Sequence, residues 1–253
     1  MTTLRIIWAI FTRTWRKVVR RPVVLLLSFV QPMIWMLLFG FLFHRFGGDV
    51  LAEGLSYLDF LLPGVCAMTV LFGASQAGIG FIRDIQTGFL GRILATPASH
   101  QWLLIGTLAA DVSRLLLQAT VVGVVGTALG ARMQPALWSM IPAVICLTLF
   151  GAAYACVSSS IAVHTRSQES MAAFVHIVNL PLFFTSTALV PAKLMPGWLE
   201  QIAIWNPFSL VVNTLREALL FGTASPAIST VGPLLVLTIL LFFITAATMK
   251  KVT

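Results

Sequence analysis

The chain has 253 residues, 58% of them hydrophobic and only 9% charged, against about 25% charged in a soluble domain. It cannot present a charged surface all round, so lipid is its solvent over much of its area, and a soluble enzyme or binding module is excluded. The formal net charge of +8 does not signal nucleic acid, because the basic residues gather at the N-terminus and in particular loops, as the orientation signal of a membrane protein does.

Residues 1–22 carry Arg5, Arg13, Arg16, Lys17, Arg20 and Arg21 among Leu4, Ile6, Ile7, Trp8, Ile10, Phe11 and Trp15. A basic, tryptophan-containing amphipathic helix lies in the interface on the side with anionic lipid, which predicts an interfacial helix and a cytoplasmic N-terminus. The basic region is too long for a secretory leader and no small-x-small cleavage site follows promptly. Residues 23–43 therefore read as a retained first span, with Pro32 as a kink site. His44 to Tyr57, with Asp49 and Glu53, is a short outer loop, and 58–82 is a second span.

Arg83 to Gln101 is the only sizeable polar, helix-forming stretch in the interior of the chain that reads as cytoplasmic. It predicts a helix over 83–98, with Leu90, Ile93 and Leu94 on one side, Phe89 at its edge, Arg92 and Thr96 opposite, and Pro97 ending it. On its residues alone this stretch is either a docking surface for a soluble partner or a plain connecting loop.

Further spans are predicted at 102–129, 137–163, 170–190 and 227–248. Apolar runs this continuous exclude a β-barrel. The outer segment 191–226 holds two apolar runs, each too short to span, broken at Asn206-Pro207. It reads as re-entrant helices packed over an outer mouth, or as a surface amphipathic hairpin. The fold class is thus an all-α integral membrane protein with a single transmembrane domain over 1–253 and six transmembrane helices. The interfacial helix, the 83–98 helix and the outer hairpin complete it. Eleven of the 16 Lys and Arg fall on the inner segments of this topology and four on the outer ones, which places both termini in the cytoplasm.

Asp111 and Arg114 lie three residues apart within a span, placed to pair with each other or to serve transport. His176 and Asn179 share a face of the fifth span, and either line a path or bond a neighbouring helix. Gly123, Gly126 and Gly130, with the small residues of 151–162, let helices approach closely. Cys66, Cys146 and Cys156 read as buried free thiols rather than a metal or disulfide site. No GxxxxGK[ST], HExxH or GxSxG is present, so the chain reads as no enzyme, and any ATP hydrolysis belongs to another chain.

Three stretches carry a resemblance: RRPVVLLLSFVQPMIWMLLFGFLF at 20–43, TGFLGRILATPAS at 87–99 and ALVPAKLMPGWLEQIAIWNPFSLVVNTLREALL at 188–220. The chain resembles the permease subunit of type 2 ATP-binding-cassette exporters, bacterial proteins of the daunorubicin-resistance, nodulation-factor and polysaccharide export kinds. Phe89 stands where that family usually has Leu, and Gly91 where it often has an acidic residue.

The resemblance implies a multi-pass protein of the bacterial inner (plasma) membrane. It implies two cytoplasmic ATP-binding-cassette ATPase subunits, carrying ATP and Mg, docked beneath this chain and a second permease copy or close paralogue. It makes 83–98 the coupling helix, with Arg83, Asp84, Thr87, Gly88, Phe89, Leu90, Arg92, Leu94, Thr96 and Pro97 as coupling residues. The first and fifth spans would face the path, which sets Trp35, Phe39, Phe183 and Phe184 beside His176 and Asn179, in contact with substrate or with lipid. The outer cap would comprise Met195, Pro196, Trp198, Asn206, Pro207, Arg216 and Glu217.

The function that follows is the membrane-spanning half of an ATP-driven exporter for an amphipathic drug-like, lipid-linked or glycan substrate. A membrane anchor or sensor working with an ATPase shares every motif. An ion-driven secondary transporter lacks the carboxylate relay it would need in its spans.

Overall fold

The computed structural model describes residues 3–20, 22–43, 54–94 and 100–252. The expected loop residues Asp49 and Glu53 and the expected helix residues Thr96 and Pro97 lie outside the described residues. In chain order the helices are α1 (Thr3–Val19), α2 (Pro22–Leu42), α3 (Tyr57–Ser75), α4 (Ala77–Gln86), α5 (Phe89–Leu94) and α6 (His100–Ala128). After them come α7 (Leu137–Thr165), α8 (Gln168–Phe184), α9 (Gly197–Trp205), α10 (Pro207–Leu220) and α11 (Ser225–Val252).

Among the described residues, five stretches are long and apolar enough to cross a membrane: Leu25–Leu42, Tyr57–Gln86, Gln101–Ala128, Leu137–Thr165 and Ser229–Lys250. The expected fifth span, 170–190, is helical only to Phe184. At 17 residues α8 is about 26 Å long, a little less than the ~30 Å hydrocarbon core. It stops because the Thr185-Ser186-Thr187 run turns back on it. The Ser186 hydroxyl donates to Phe183 O at 2.6 Å and the Thr185 hydroxyl to Pro181 O at 2.8 Å. Short hydroxyl side chains compete with the backbone ladder in this way.

The core is built round α3. Its sequence is apolar on every face, which is the pattern of a helix surrounded by protein. Leu61, Leu62, Val65, Ala67, Leu71 and Ala74 are fully buried. Helices α2, α6, α7 and α10 pack against it. Close approach is bought with glycine: a Cβ at Gly126 of α6 would sit 2.4 Å from Leu62. Gly130, expected to extend that small-residue step, instead turns the chain, at φ 106 with open space about it. The three cysteines are free and buried.

α3 and α4 form one long rod with a break at Gln76. A break in a buried helix leaves backbone groups without their ladder partners, and each must find another. One side chain of α7 serves two of them. The Ser158 hydroxyl donates to Ser75 O at 2.6 Å and accepts from the Gly78 N–H at 3.0 Å. From α8, Asn179 Nδ2 donates to Ser75 Oγ at 2.6 Å, and Asn179 Oδ1 accepts from the Tyr154 hydroxyl. On its far side α7 is pinned to α11 by hydroxyls, Thr245 donating to Cys156 O at 3.1 Å and Thr238 to Leu149 O at 3.0 Å.

Ser158→Ala is expected to lower stability by roughly 1–3 kcal/mol, because it strands a buried carbonyl and a buried N–H. Gly78→Ala should behave alike, since its Cβ would lie 2.5 Å from Ser158 O, whereas Gly80→Ala meets nothing within 4 Å. Thermal unfolding in detergent checks the contrast. Equal midpoints for Gly78→Ala and Gly80→Ala would remove the tight crossing at the break.

Candidate functional site

At the end of α4 the polar stretch begins. The expected single helix over 83–98 is instead two pieces, α4 ending at Gln86 and α5 starting at Phe89. Gly88 between them has φ 66, a conformation glycine adopts at no steric cost. Thr87 closes α4, its N–H and its hydroxyl both bonding Arg83 O, each at 2.9 Å. Arg92 Nη2 reaches back to Thr87 O at 3.1 Å and so ties the two pieces together. Arg83, Thr87, Gly88 and Arg92 are exposed. Leu90 and Leu94 belong to α5, and their side chains lie outside the described set.

The N-terminal helix clamps this segment. Arg13 Nη1 and Nη2 each donate to Asp84 at 3.1 Å, and Lys17 Nζ donates to the same carboxylate at 2.6 Å. The Arg13 guanidinium also lies over the Phe89 ring, 3.1 Å from its centroid. A planar guanidinium can fork a carboxylate and stack on an aromatic face together, which Lys cannot do. α1 is itself docked on α6: Ile10 is buried where Gly106 leaves room, and Trp15 Nε1 donates to Ser113 Oγ at 2.9 Å. Phe89 is thus the surface on which Arg13 rests.

Arg13 and Lys17 were legible in the sequence only as interfacial charges. A usable signal was present, because Asp84 is the sole carboxylate in 83–101 and Arg13 and Lys17 stand one helical turn apart. The expected pair between Asp111 and Arg114 is not formed. The ion pairs among the described residues are those of Asp84. Arg114 donates instead to Gln118 Oε1 at 3.1 Å and to Gly73 O at 3.3 Å.

Four of the six expected path residues come together. Trp35 stacks on Phe39 at 5.1 Å and meets Phe183 and Phe184 edge-on at 5.6 and 5.7 Å. Trp35 and Phe39 are half-buried, Phe183 is buried and Phe184 is exposed. Asn179 does not join them, being fully buried in the bonds at the α3–α4 break, and His176 is exposed two turns from Phe183.

At the opposite end, Asn206 and Pro207 break the segment 191–226 into α9 and α10. Asn206 Oδ1 caps α10 at the Phe208 N–H (2.9 Å) while its Nδ2 donates to Leu182 O (2.8 Å), and Pro207 takes the first helical position. Arg216 locks α10 down, donating to Thr187 O at 2.9 Å and Phe60 O at 3.3 Å, its guanidinium 3.7 Å from the Phe60 ring centroid. Glu217 accepts from the Thr223 hydroxyl at 2.7 Å. Met195 is buried, Pro196 exposed, and Trp198 and Trp205 stand well exposed, the placement of interfacial anchors.

Comparison with known proteins matches residues 5–220 to the family described as ABC-2 type transporter. The ycf38 protein of Cyanophora paradoxa, named as a transport permease, is 30% identical over 198 residues, covering 78% of this chain and 68% of that one. The daunorubicin resistance ABC transporter permease protein DrrB1 of Streptomyces coeruleorubidus is 30% identical over 219 residues, 85% and 76% of the two chains. Nodulation protein J of Bradyrhizobium diazoefficiens is 27% identical over 248 residues, 97% and 92%.

A double-mutant cycle on Arg13→Ala and Asp84→Ala, read by thermal stability in detergent, is expected to give a coupling of roughly 0.5–1 kcal/mol, since both groups are partly exposed. The coupling should shrink as salt is raised. Zero coupling at low salt would mean that the clamp carries no energy.

Proposed function

Because this chain belongs to the ABC-2 type transporter family, we propose that its clamped inner segment, α4–α5, receives the movement of ATP-binding-cassette subunits and passes it to the transmembrane core. Membership makes the chain a multi-pass membrane protein, the transport subunit of an ABC exporter. ATP hydrolysis in such exporters is carried by the cassette partners. The finer reading is an assembly of two permease chains, identical or closely related, above two ATPases, with both termini cytoplasmic and α8 serving as a sixth crossing.

The observation that carries the proposal is the clamp on Asp84 and Phe89. A surface that takes a push must not fold away under it. Here α1 holds the segment from one side, and the exposed Arg83, Thr87 and Arg92 are left to meet a partner. From α4 the movement arrives at the break at Gln76, where Ser158 and Asn179 bind the rod to α7 and α8. Helix α8 carries Phe183 and Phe184, which pack on Trp35 of α2. A tilt of α4 therefore shifts α8 against α2, the two helices assigned to the path. The aromatic faces there suit an amphipathic substrate, and the drug-resistance and nodulation names of the relatives support an amphipathic or lipid-linked cargo exported from the cytoplasm or inner leaflet.

Arg92→Glu is expected to leave membrane insertion and the partner's ATP hydrolysis in place while lowering export about tenfold. Asn179→Leu should likewise uncouple hydrolysis from export, from a position far from any partner. Reconstituted vesicles loaded with ATP, with export and phosphate release measured together, provide the check. Wild-type ratios of export to hydrolysis in both variants would defeat the reading.

A further inference from the structure

A cleft of about 880 Å³ enters the protomer between α2 on one side and the α3–α4 rod and α6 on the other, with α1 and α5 at its cytoplasmic end. Its cytoplasmic end is the clamp itself, Arg13, Lys17, Asp84 and Phe89, while the part that runs on past Gln76 to Arg114 and the α2–α3 wall has no role in the coupling proposal. Its wall changes character along its length. Leu25, Leu27 and Pro32 of α2 face Met68 and Phe72 of α3 across an apolar part. Leu27 is exposed and little of α2 is buried, so this part opens at the side of the protomer.

The other part is cationic. Five basic side chains line the cleft against two carboxylates, Asp84 and Asp111. Asp84 is already neutralised by Arg13 and Lys17. That leaves Arg83, Arg92 and Arg114 facing Asp111 alone. Arg114 lies about 21 Å along α6 from His100 at ~1.5 Å per residue, within a stretch apolar enough to cross the membrane. It is half-buried and ion-paired with no described residue. A guanidinium set inside a span is costly, and Asp111, one turn back on the same helix, forms no ion pair with it. Its bonds to Gln118 and Gly73 O, with Gln118 Nε2 braced on Ser28 Oγ at 2.5 Å, fix its position without cancelling its charge.

We infer that this cleft binds an anionic amphiphile, its phosphate headgroup on Arg114 and its acyl chain against the α2–α3 wall. Charge selects the head, since a guanidinium and a phosphate form bidentate charge-assisted bonds. The sideways opening and the apolar wall select a molecule that arrives from the inner leaflet. Binding requires no ATP, no partner and no transport cycle, so it stands whether or not the coupling proposal holds.

Gly80 supplies a probe that leaves the charges alone. It lines the cleft, and a Cβ built on it meets nothing within 4 Å, so Gly80→Phe fills the space without a clash at its root. The protein, with any subunits that accompany it, would be stripped of lipid in neutral detergent. Equal amounts of phosphatidylglycerol and phosphatidylcholine with matched chains would then be added, and retained lipid read by native mass spectrometry.

Wild type is expected to retain phosphatidylglycerol in about tenfold preference. Arg114→Gln should erase the preference, Arg114→Lys should keep part of it, and Gly80→Phe should reduce retention of both lipids. Arg20→Gln, an exposed charge outside the cleft, should change nothing. If Arg114→Gln fails to fold, Gly80→Phe still decides. Equal retention of the two lipids by wild type, or unchanged retention in Gly80→Phe, overturns the inference. Displacement of phosphatidylglycerol by millimolar inorganic phosphate would show a free-anion site and overturn the lipid occupant.

Discussion

The structure turns on the interruption of one long helix at Gln76, within the helical bundle. Tyr57–Gln86 is 30 residues, about 45 Å at the usual rise, more than the hydrocarbon core requires, and its last turn carries the charges of Arg83 and Asp84. The break at Gln76 sets the direction of that turn. Ser75 and Gly78 are buried on the side of the break that faces α7, so the open carbonyl and N–H there have to be met by protein. Ser158 meets both with one hydroxyl. That requirement puts a serine rather than an alanine on α7 and a glycine at 78, where a side chain would strike α7. It also draws Asn179 to the inward face of α8.

Once the break is fixed, the two ends of the molecule follow. At one end, α4 projects a carboxylate that α1 grips with two cations, and Gly88 turns the chain so that Phe89 comes beneath Arg13. At the other end, α8 stops short and α10 packs against α3, held by a guanidinium bonded to two carbonyls. Both ends use arginine in the same manner, forked to oxygens and stacked on a ring, at Phe89 and at Phe60. Each lashes a short helix to the long α3–α4 rod.

Much of this was legible in the residues. The apolar runs placed the long helices, since lipid leaves a spanning chain little choice but to be helical. Asn206-Pro207 gave the outer break because an N-cap followed by proline has one usual reading. The end of α8 was not legible, because its apolar run continues to Val190 and only the hydroxyls of 185–187 close it. Nor was the turn at Gly88, since a lone glycine in an amphipathic run is tolerated within a helix. Asp111 and Arg114 have ideal spacing for a pair, yet the acceptors that win Arg114 include a carbonyl on α3, distant in sequence. Period and spacing report on neighbours along a helix and are silent about those across an interface.

The central claim is that the α1-clamped segment is where ATP-binding-cassette subunits dock. The most direct test is to purify the tagged protein in mild detergent and measure the mass and composition of what comes with it. The experiment would be repeated with Arg13 and Lys17 both changed to Gln. The account predicts two permease chains with two ATPase subunits, and loss or weakening of the ATPase in the double variant. A permease that carries no ATPase even after crosslinking, or one that holds it equally well without the clamp, would contradict it.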